Sequence, residues 1–465
     1  MRRLPAESWM NIFTEVCSSD ENALSATYRK ITAPPIALSH VCSRWREIIN
    51  NLPQLWTSIS VDMYNLQADV RNLVTLFGKR SKGHSLKIQI HHQYPLRAAH
   101  RPMITSKSRR ALRALMAHAH QCGELHFELS AEEMRALKSS DLIFSFPRLR
   151  TFDCHTDLVS TLEHGWLFDS LRRGLPSLEV FRVETALGTD VIPYPQLTTL
   201  SIDGHRGACW LLEVLRTCRS LRSLTIGFET ASEEEDEEEF ASVVLPDLRK
   251  FSVRVAETFP CSVLAPLCST LSLPSLGSLE IASAPDPDDD DEWPPSLPTM
   301  IQSASATLRE LSFRSHGKLS YPLNEILRSC PSLACISFWE ECQGLDSTFV
   351  HDIFTILTIS PSASSAAVAV APRLTHLKLH FSQWHGLRRV EGLRILSMAE
   401  SRARNRLVIL GLDPVVVALQ DVRILYDCYV PHAKLLRCPL EHTALKERVD
   451  ALANENTYLS ISSAN

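Results

Sequence analysis

A short motif recurs through most of this 465-residue chain, and it restricts the fold more than any other feature. It reads Pro/Ser-x-Leu-x-x-Leu/Phe-x-apolar. Copies are FPRLRTFDC from Phe146, LPSLEVFRV from Leu175, YPQLTTLSI from Tyr194, CRSLRSLTI from Cys218 and LPDLRKFSV from Leu245. LPSLGSLEI from Leu273, SATLRELSF from Ser305, CPSLACISF from Cys330 and APRLTHLKL from Ala371 follow. HSLKIQI from His84 and CGELHFEL from Cys122 look like degenerate early copies. The aligned leucines, Leu149 to Leu374, lie 19 to 41 residues apart. Within a copy, the last two apolar residues share one face of a short strand, because side chains alternate along a strand. The first leucine turns inward just before it.

Between copies lie helix-compatible segments, most clearly GACWLLEVLRTC, YPLNEILRSC and TFVHDIFTILTI. Strand followed by helix, repeated, predicts parallel strands with helices outside. No single unit closes its own core. A period near 20–30 residues resembles that of leucine-rich solenoids, although the asparagine that usually follows their strand is absent. The expected fold class is therefore α/β: a small helical unit over residues 1–60, an irregular leucine-rich-repeat-like solenoid over 61–400, and a C-terminal cap over 401–465. Past Leu379 the motif fades. RVEGLRILSMAESR reads as a helix, RLVILGLDP as a closing strand, and LEHTALKERVDALANEN as a polar terminal helix with Leu445, Val449 and Leu452 on one stripe.

The N-terminal segment has helical spacing instead. Leu4-Pro5 forms an opening turn, since proline is tolerated where a helix begins. Trp9, Ile12, Phe13 and Val16 then repeat at i, i+3, i+4 and i+7. Residues 18–35 read as a loop. From Ile36, the residues Leu38, Val41, Cys42, Trp45, Ile48 and Ile49 line one helical face, opposite His40, Arg44, Arg46 and Glu47. A loop with Pro53, then Leu55-Trp56, ends the stripe. So few helices bury little area alone, so the unit needs a second surface.

These pieces, in this order, resemble the F-box in the form common among fungal F-box proteins: Leu4-Pro5, Glu7, Ile12-Phe13, Leu38, Val41-Cys42, Arg44-Trp45-Arg46, Ile48 and Pro53-x-Leu55-Trp56. Ser8 stands where the family usually has Ile or Leu. The resemblance covers about an eighth of the chain. It implies docking onto a Skp-type adaptor and, through it, a cullin–RING ubiquitin ligase. The adaptor-binding residues would come from Leu4, Pro5, Ile12, Phe13, Leu38, Val41, Cys42, Trp45 and Ile48. The strand array would then hold an unknown target protein. The alternatives are a ligase-independent scaffold, in which the helical unit merely caps the array, and an enzyme with an unrecognised site. An adaptor-binding unit predicts that part of this apolar set stays exposed as an apolar patch larger than a soluble monomer usually tolerates; a plain cap predicts that all of it is buried.

Charge adds two features. Seven consecutive acids run from Glu233 to Glu239, and six lie between Asp286 and Glu292. Both read as solvated loops inserted between units, at 229–244 and 285–296, as does the Ser/Ala segment 360–371. Without those thirteen acids the net charge changes from −5 to +8. From Arg71 to Arg113 there are eleven Lys or Arg and no acid. A basic face for an acidic or phosphorylated ligand would draw on Arg97, Arg101, Lys107, Arg109, Arg110 and Arg113; the competing reading is a solvated surface. Nucleic acid fits poorly, because the stretch is poor in aromatics and lacks a nucleic-acid-binding motif.

Thirteen cysteines, an odd number with no CxxC, favour a reducing compartment and thiols that fill the core. No signal peptide and no run of 18 apolar residues is found, so a cytoplasmic or nuclear location without a membrane span is expected. No phosphate loop, GxSxG, HExxH or metal-ligand spacing occurs, and no catalytic site, cofactor or metal is expected.

Overall fold

The computed structural model describes residues 4–18, 24–27, 30–92, 104–130, 133–134, 137, 144–155, 165–172, 174–184, 192–205, 208–228, 241–256, 264–283, 294–315, 320–340, 353–359, 370–381, 389–403, 416–426, 443–454 and 457–463. The fold is α/β with a large, mostly parallel sheet. The chain divides into two compact units, Met1–Ile202 and Asp203–Asn465.

In the first unit, helix α1 (Ala6–Ser18) precedes strands β1 (Leu24–Ala26) and β2 (Ile31–Thr32). Helices α2 (Pro34–Ser39) and α3 (Ser43–Asn50) and a 3-10 turn at Pro53–Trp56 follow. Then come β3 (Ser58–Asp62), α4 (Arg71–Arg80), β4 (Leu86–His91), α5 (Ser106–Met116), β5 (Cys122–Glu128), β6 (Thr151–Cys154), β7 (Val180–Val183) and β8 (Thr199–His205). Their order in the sheet is β2-β1-β3-β4-β5-β6-β7-β8. Among the described strand pairs of this unit only β1–β2 is antiparallel, apart from an isolated antiparallel bridge between Tyr64 and Ile104. Gly123 is an extra residue between the partners of Leu86 and Lys87, where the register shifts. A Cβ there would fall on the Ser85 hydroxyl, so glycine suits the bulge.

The second unit contributes β9 (Ser223–Phe228), β10 (Val243–Val244), β11 (Lys250–Val255), β12 (Leu271–Ser272), β13 (Ser278–Ser283), β14 (Glu310–Ser315), β15 (Cys335–Glu340), β16 (His376–Phe381), β17 (Asp421–Tyr426) and β18 (Tyr458–Ser463). β10 and β12 pair apart. The others lie in the order β9-β11-β13-β14-β15-β16-β17-β18, and all their described pairs are parallel. Helices at Ala208–Thr217, Ser320–Ser329 and Arg389–Ser401 fall where the spacing predicts them.

The repeated leucines explain the core. Leu149, Leu178, Leu197, Leu221, Leu248, Leu276, Leu308, Leu333 and Leu374 are all buried, as are the two apolar positions of each following strand. In-register pairing sets like on like: Leu279 beside Leu311, and Phe313 stacked on Phe338 at 6.1 Å.

Three expectations are revised. The stripe from Leu38 to Ile49 is two helices, not one. Cys42 is extended (φ −159, ψ 168) and its sulfur accepts the Trp45 amide, so it caps α3 where a continuous helix would have run through. The 18–35 loop contains β1, which extends the sheet through parallel pairing with β3. Leu24 and Ala26 point inward at period two, a signal too short to stand out beside the polar residues around it. The strand series also continues past Leu379 through β17 and β18. Their inward residues, Val422, Ile424 and Leu459, lack the preceding Pro/Ser-x-Leu signature. The proposed closing strand at 406–414 and both acidic runs lie outside the described residues. The terminal helix is present at Thr443–Asn454; Leu452 packs with Leu396, Ala399 and Ala403, and Arg448 makes a two-pronged bond to Glu400.

Candidate interaction site

The helical unit has its own aromatic centre. Trp9 and Phe13 on α1 meet Trp45 on α3, with ring centroids 4.8 and 4.9 Å from it. Arg44 donates to the Leu4 carbonyl at 3.0 Å and ties the chain before α1 to α3. Arg46 donates to the Ser39 carbonyl at 3.1 Å and closes the turn between α2 and α3. Trp56 is fully buried; its indole N–H donates to the Ile49 carbonyl at 3.0 Å, its ring meets Phe77 of α4 at 5.0 Å, and the Arg80 guanidinium lies 4.3 Å from the ring centroid.

These contacts sort the nine candidate docking residues. Phe13 is buried at 1% exposure. Leu38, Trp45 and Ile48 are half-buried. Pro5 and Cys42 are exposed, as are Leu4 (42%), Ile12 (42%) and Val41 (60%). Met10 and Val16 on α1, which the F-box resemblance does not single out, are also exposed. The helical stripe thus divides: Trp9 and Phe13 face inward, and Ile12 and Val16, one turn apart, face out.

The basic stretch is partly used within the chain. Lys107 donates to the Gln67 carbonyl. Arg71 forms a two-pronged pair with Asp69, and Arg110 lies 3.9 Å from the same carboxylate. The Arg71 hydrogen bond, with the nearby guanidinium charges, holds the Asp69 carboxyl at about 2. The acid that answers these arginines stands just outside the acid-free run, so counting charges within the run misses it. Arg109, Arg110 and Arg113 share the exposed side of α5. Arg97 and Arg101 lie outside the described residues.

A second polar site lies on the outward face of this unit. Register aligns Ser60, Gln89, His126, Asp153 and Arg182 across β3 to β7. The first four border a cleft of about 560 Å³ that is also lined by His91, Glu128 and His155. Asp153 is the hub: His155 lies 3.0 Å from it, His126 3.3 Å and Arg182 3.5 Å. Burial pushes its carboxyl up, but the His126 bond and the neighbouring charges outweigh burial and hold it below the usual value. The network therefore stabilises the fold above about pH 4 and is lost as pH falls through the lower folded value. Asp153→Asn is expected to flatten the acid side of the stability profile below about pH 4, measured as the denaturant midpoint at each pH. An unchanged acid limb would remove this assignment.

Among the described residues no group of His, Cys, Asp and Glu is arranged to hold a metal ion, and no helix is long and apolar enough to cross a membrane. Among the described residues, Cys17, Cys42, Cys122, Cys218, Cys268, Cys330 and Cys335 are free thiols. Burial pushes the thiols of Cys17 and Cys218 up to about 11 and that of Cys268 to about 12, so they stay protonated at neutral pH. No family's sequence model matches the chain, and no curated protein matches it significantly.

Proposed function

We propose that the chain is a substrate receptor of a cullin–RING ubiquitin ligase. In this reading its helical unit acts as an F-box that docks on a Skp-type adaptor, and its strand array is an irregular leucine-rich-repeat-like solenoid that holds a target protein. The observation that carries the reading is the set of exposed apolar side chains Leu4, Ile12, Val16 and Val41. It stays in water although the unit already has its own aromatic centre and a buried Trp56. The stacking of parallel strands in chain order within each unit supports the solenoid. The mechanism is proximity: docking raises the effective concentration of the target beside the activated ubiquitin and supplies no chemistry of its own.

The burial pattern selects the test. Phe13 is a poor probe, because a charge there would break the aromatic centre. Ile12→Asp with Val41→Asp changes only exposed positions. Burying one large apolar side chain contributes about 1.5–3 kcal/mol, so losing two anchors should lower capture of a fungal Skp-type adaptor by about tenfold or more. The melting temperature should hold. Equal capture by the double variant, or no capture by the wild type, leaves the ligase-independent scaffold as the better reading.

A further inference from the structure

Two arginines of α3, Arg44 and Arg46, direct their guanidinium groups at main-chain carbonyls outside that helix. A terminal nitrogen of Arg44 donates to Leu4, 40 residues earlier, at 3.0 Å. Nε of Arg46 donates to Ser39, seven residues earlier, at 3.1 Å. Both arginines are exposed. Each carbonyl belongs to a segment that carries an exposed apolar residue. Leu4 stands in the turn before α1 and is 42% exposed; Val41 stands in the turn between α2 and α3 and is 60% exposed. Neither lies inside a helix, so neither has the full main-chain ladder that fixes Ile12 and Val16 on α1.

The base from which the arginines act is itself fixed. Cys42 caps α3 through the Trp45 amide, and Trp45, between the two arginines in sequence, packs on Trp9 and Phe13. The indole joins α3 to α1 through ring contacts, and the guanidinium groups hold the chain on either side of it. Bonds at such exposed positions add little to stability, because water competes for both partners. Their larger effect is on freedom. Pro5 has its φ set by its ring, and the Arg44 bond fixes the residue before it. A segment ordered before its partner arrives does not have to be ordered on binding, so the affinity is higher.

We propose that Arg44 and Arg46 are positioning residues for docking: Arg44 presents Leu4, and Arg46 presents Val41, to the partner of the helical unit, and neither arginine touches that partner. The inference rests on the adaptor reading given above. The test measures the affinity of the full chain for a purified fungal Skp-type adaptor by biolayer interferometry, arranged as double-mutant cycles. Arg44→Ala and Arg46→Ala should each weaken binding by about three- to tenfold with unchanged melting. Arg44→Lys keeps a donor and should recover part of the loss. Leu4→Ala with Arg44→Ala should bind no more weakly than Leu4→Ala alone, and Val41→Ala with Arg46→Ala no more weakly than Val41→Ala alone. The crossed pair, Val41→Ala with Arg44→Ala, should show multiplied losses, since those two act independently. Wild-type affinity in both arginine variants, or multiplied losses in the matched pairs, overturns the proposal and leaves the adaptor reading standing. A clearly lowered melting temperature in both arginine variants assigns them to the fold instead and overturns it as well. No binding by the wild type overturns both readings.

Discussion

Arg402→Leu is expected to destabilise the second unit by about 3–5 kcal/mol, the largest effect of any single charged residue described. Arg402 is completely buried, and no acid pairs with it among the described residues. Its Nε donates to the Leu357 carbonyl at 2.6 Å, one terminal nitrogen to Ala371 at 3.0 Å and the other to Val370. Burial pushes the guanidinium down to about 10, still charged at neutral pH. Leucine would remove the donor that Arg402 gives to the Leu357 and Val370 carbonyls, each loss costing about 1–3 kcal/mol with partial relief by water, while the Ala371 carbonyl keeps the Leu374 N–H at 3.1 Å. Ala371 itself is held at φ +47, where a side chain is strained. Arg402→Lys should recover little, because one ammonium cannot reproduce a planar fork aimed at three acceptors. Urea unfolding followed by circular dichroism measures this. A shift under about 0.5 kcal/mol for leucine would show that the segments at 357 and 370–371 are held by other contacts.

Trp56→Ala should cost about 3–5 kcal/mol in the first unit, the range for deleting a buried aromatic side chain. Trp56 touches Phe77 and Arg80 of α4 and holds the last turn of α3 through the Ile49 carbonyl. It thus couples the helical unit to α4. Trp56→Phe separates the contributions: the ring contact with Phe77 survives while the Ile49 carbonyl loses its donor, so a loss of about 1–2 kcal/mol is expected. Hydrogen exchange of the Ser43–Asn50 amides reads the same coupling locally. Wild-type protection in the alanine variant would mean that α3 is held by Trp9 and Phe13 alone.

Much of the fold was legible because one signal was repeated. Each Leu-x-x-Leu-x-Ile copy carries its strand, its inward face and its register, so all nine motif strands could be placed from sequence. β1 and β18 could not: the first is three residues long and the second lacks the leading leucine. The break at Cys42 was hidden for a different reason. Helical periodicity counts spacing, and the apolar residues on either side of a capping thiol kept nearly the same spacing. The candidate docking residues were legible as a set but not by orientation. Periodicity placed Ile12 and Phe13 together; only the position of Trp45 separates the one that packs from the one that faces water. The Asp153 hub was invisible in sequence, because it joins residues about 25–30 positions apart that only register brings side by side.

In-register strand pairing also sets which length changes the chain can absorb. A residue inserted between strands costs little, since loop closure grows only with the logarithm of length. A residue inserted within a strand turns every later side chain of that strand to the opposite face. Homologous chains should therefore differ in length by insertions and deletions clustered between motifs, as the uneven 19-to-41-residue intervals here already do. Inside each strand the reading frame of inward and outward positions is fixed by its neighbour, so ligand preference can drift through outward substitutions while the buried ladder stays in phase.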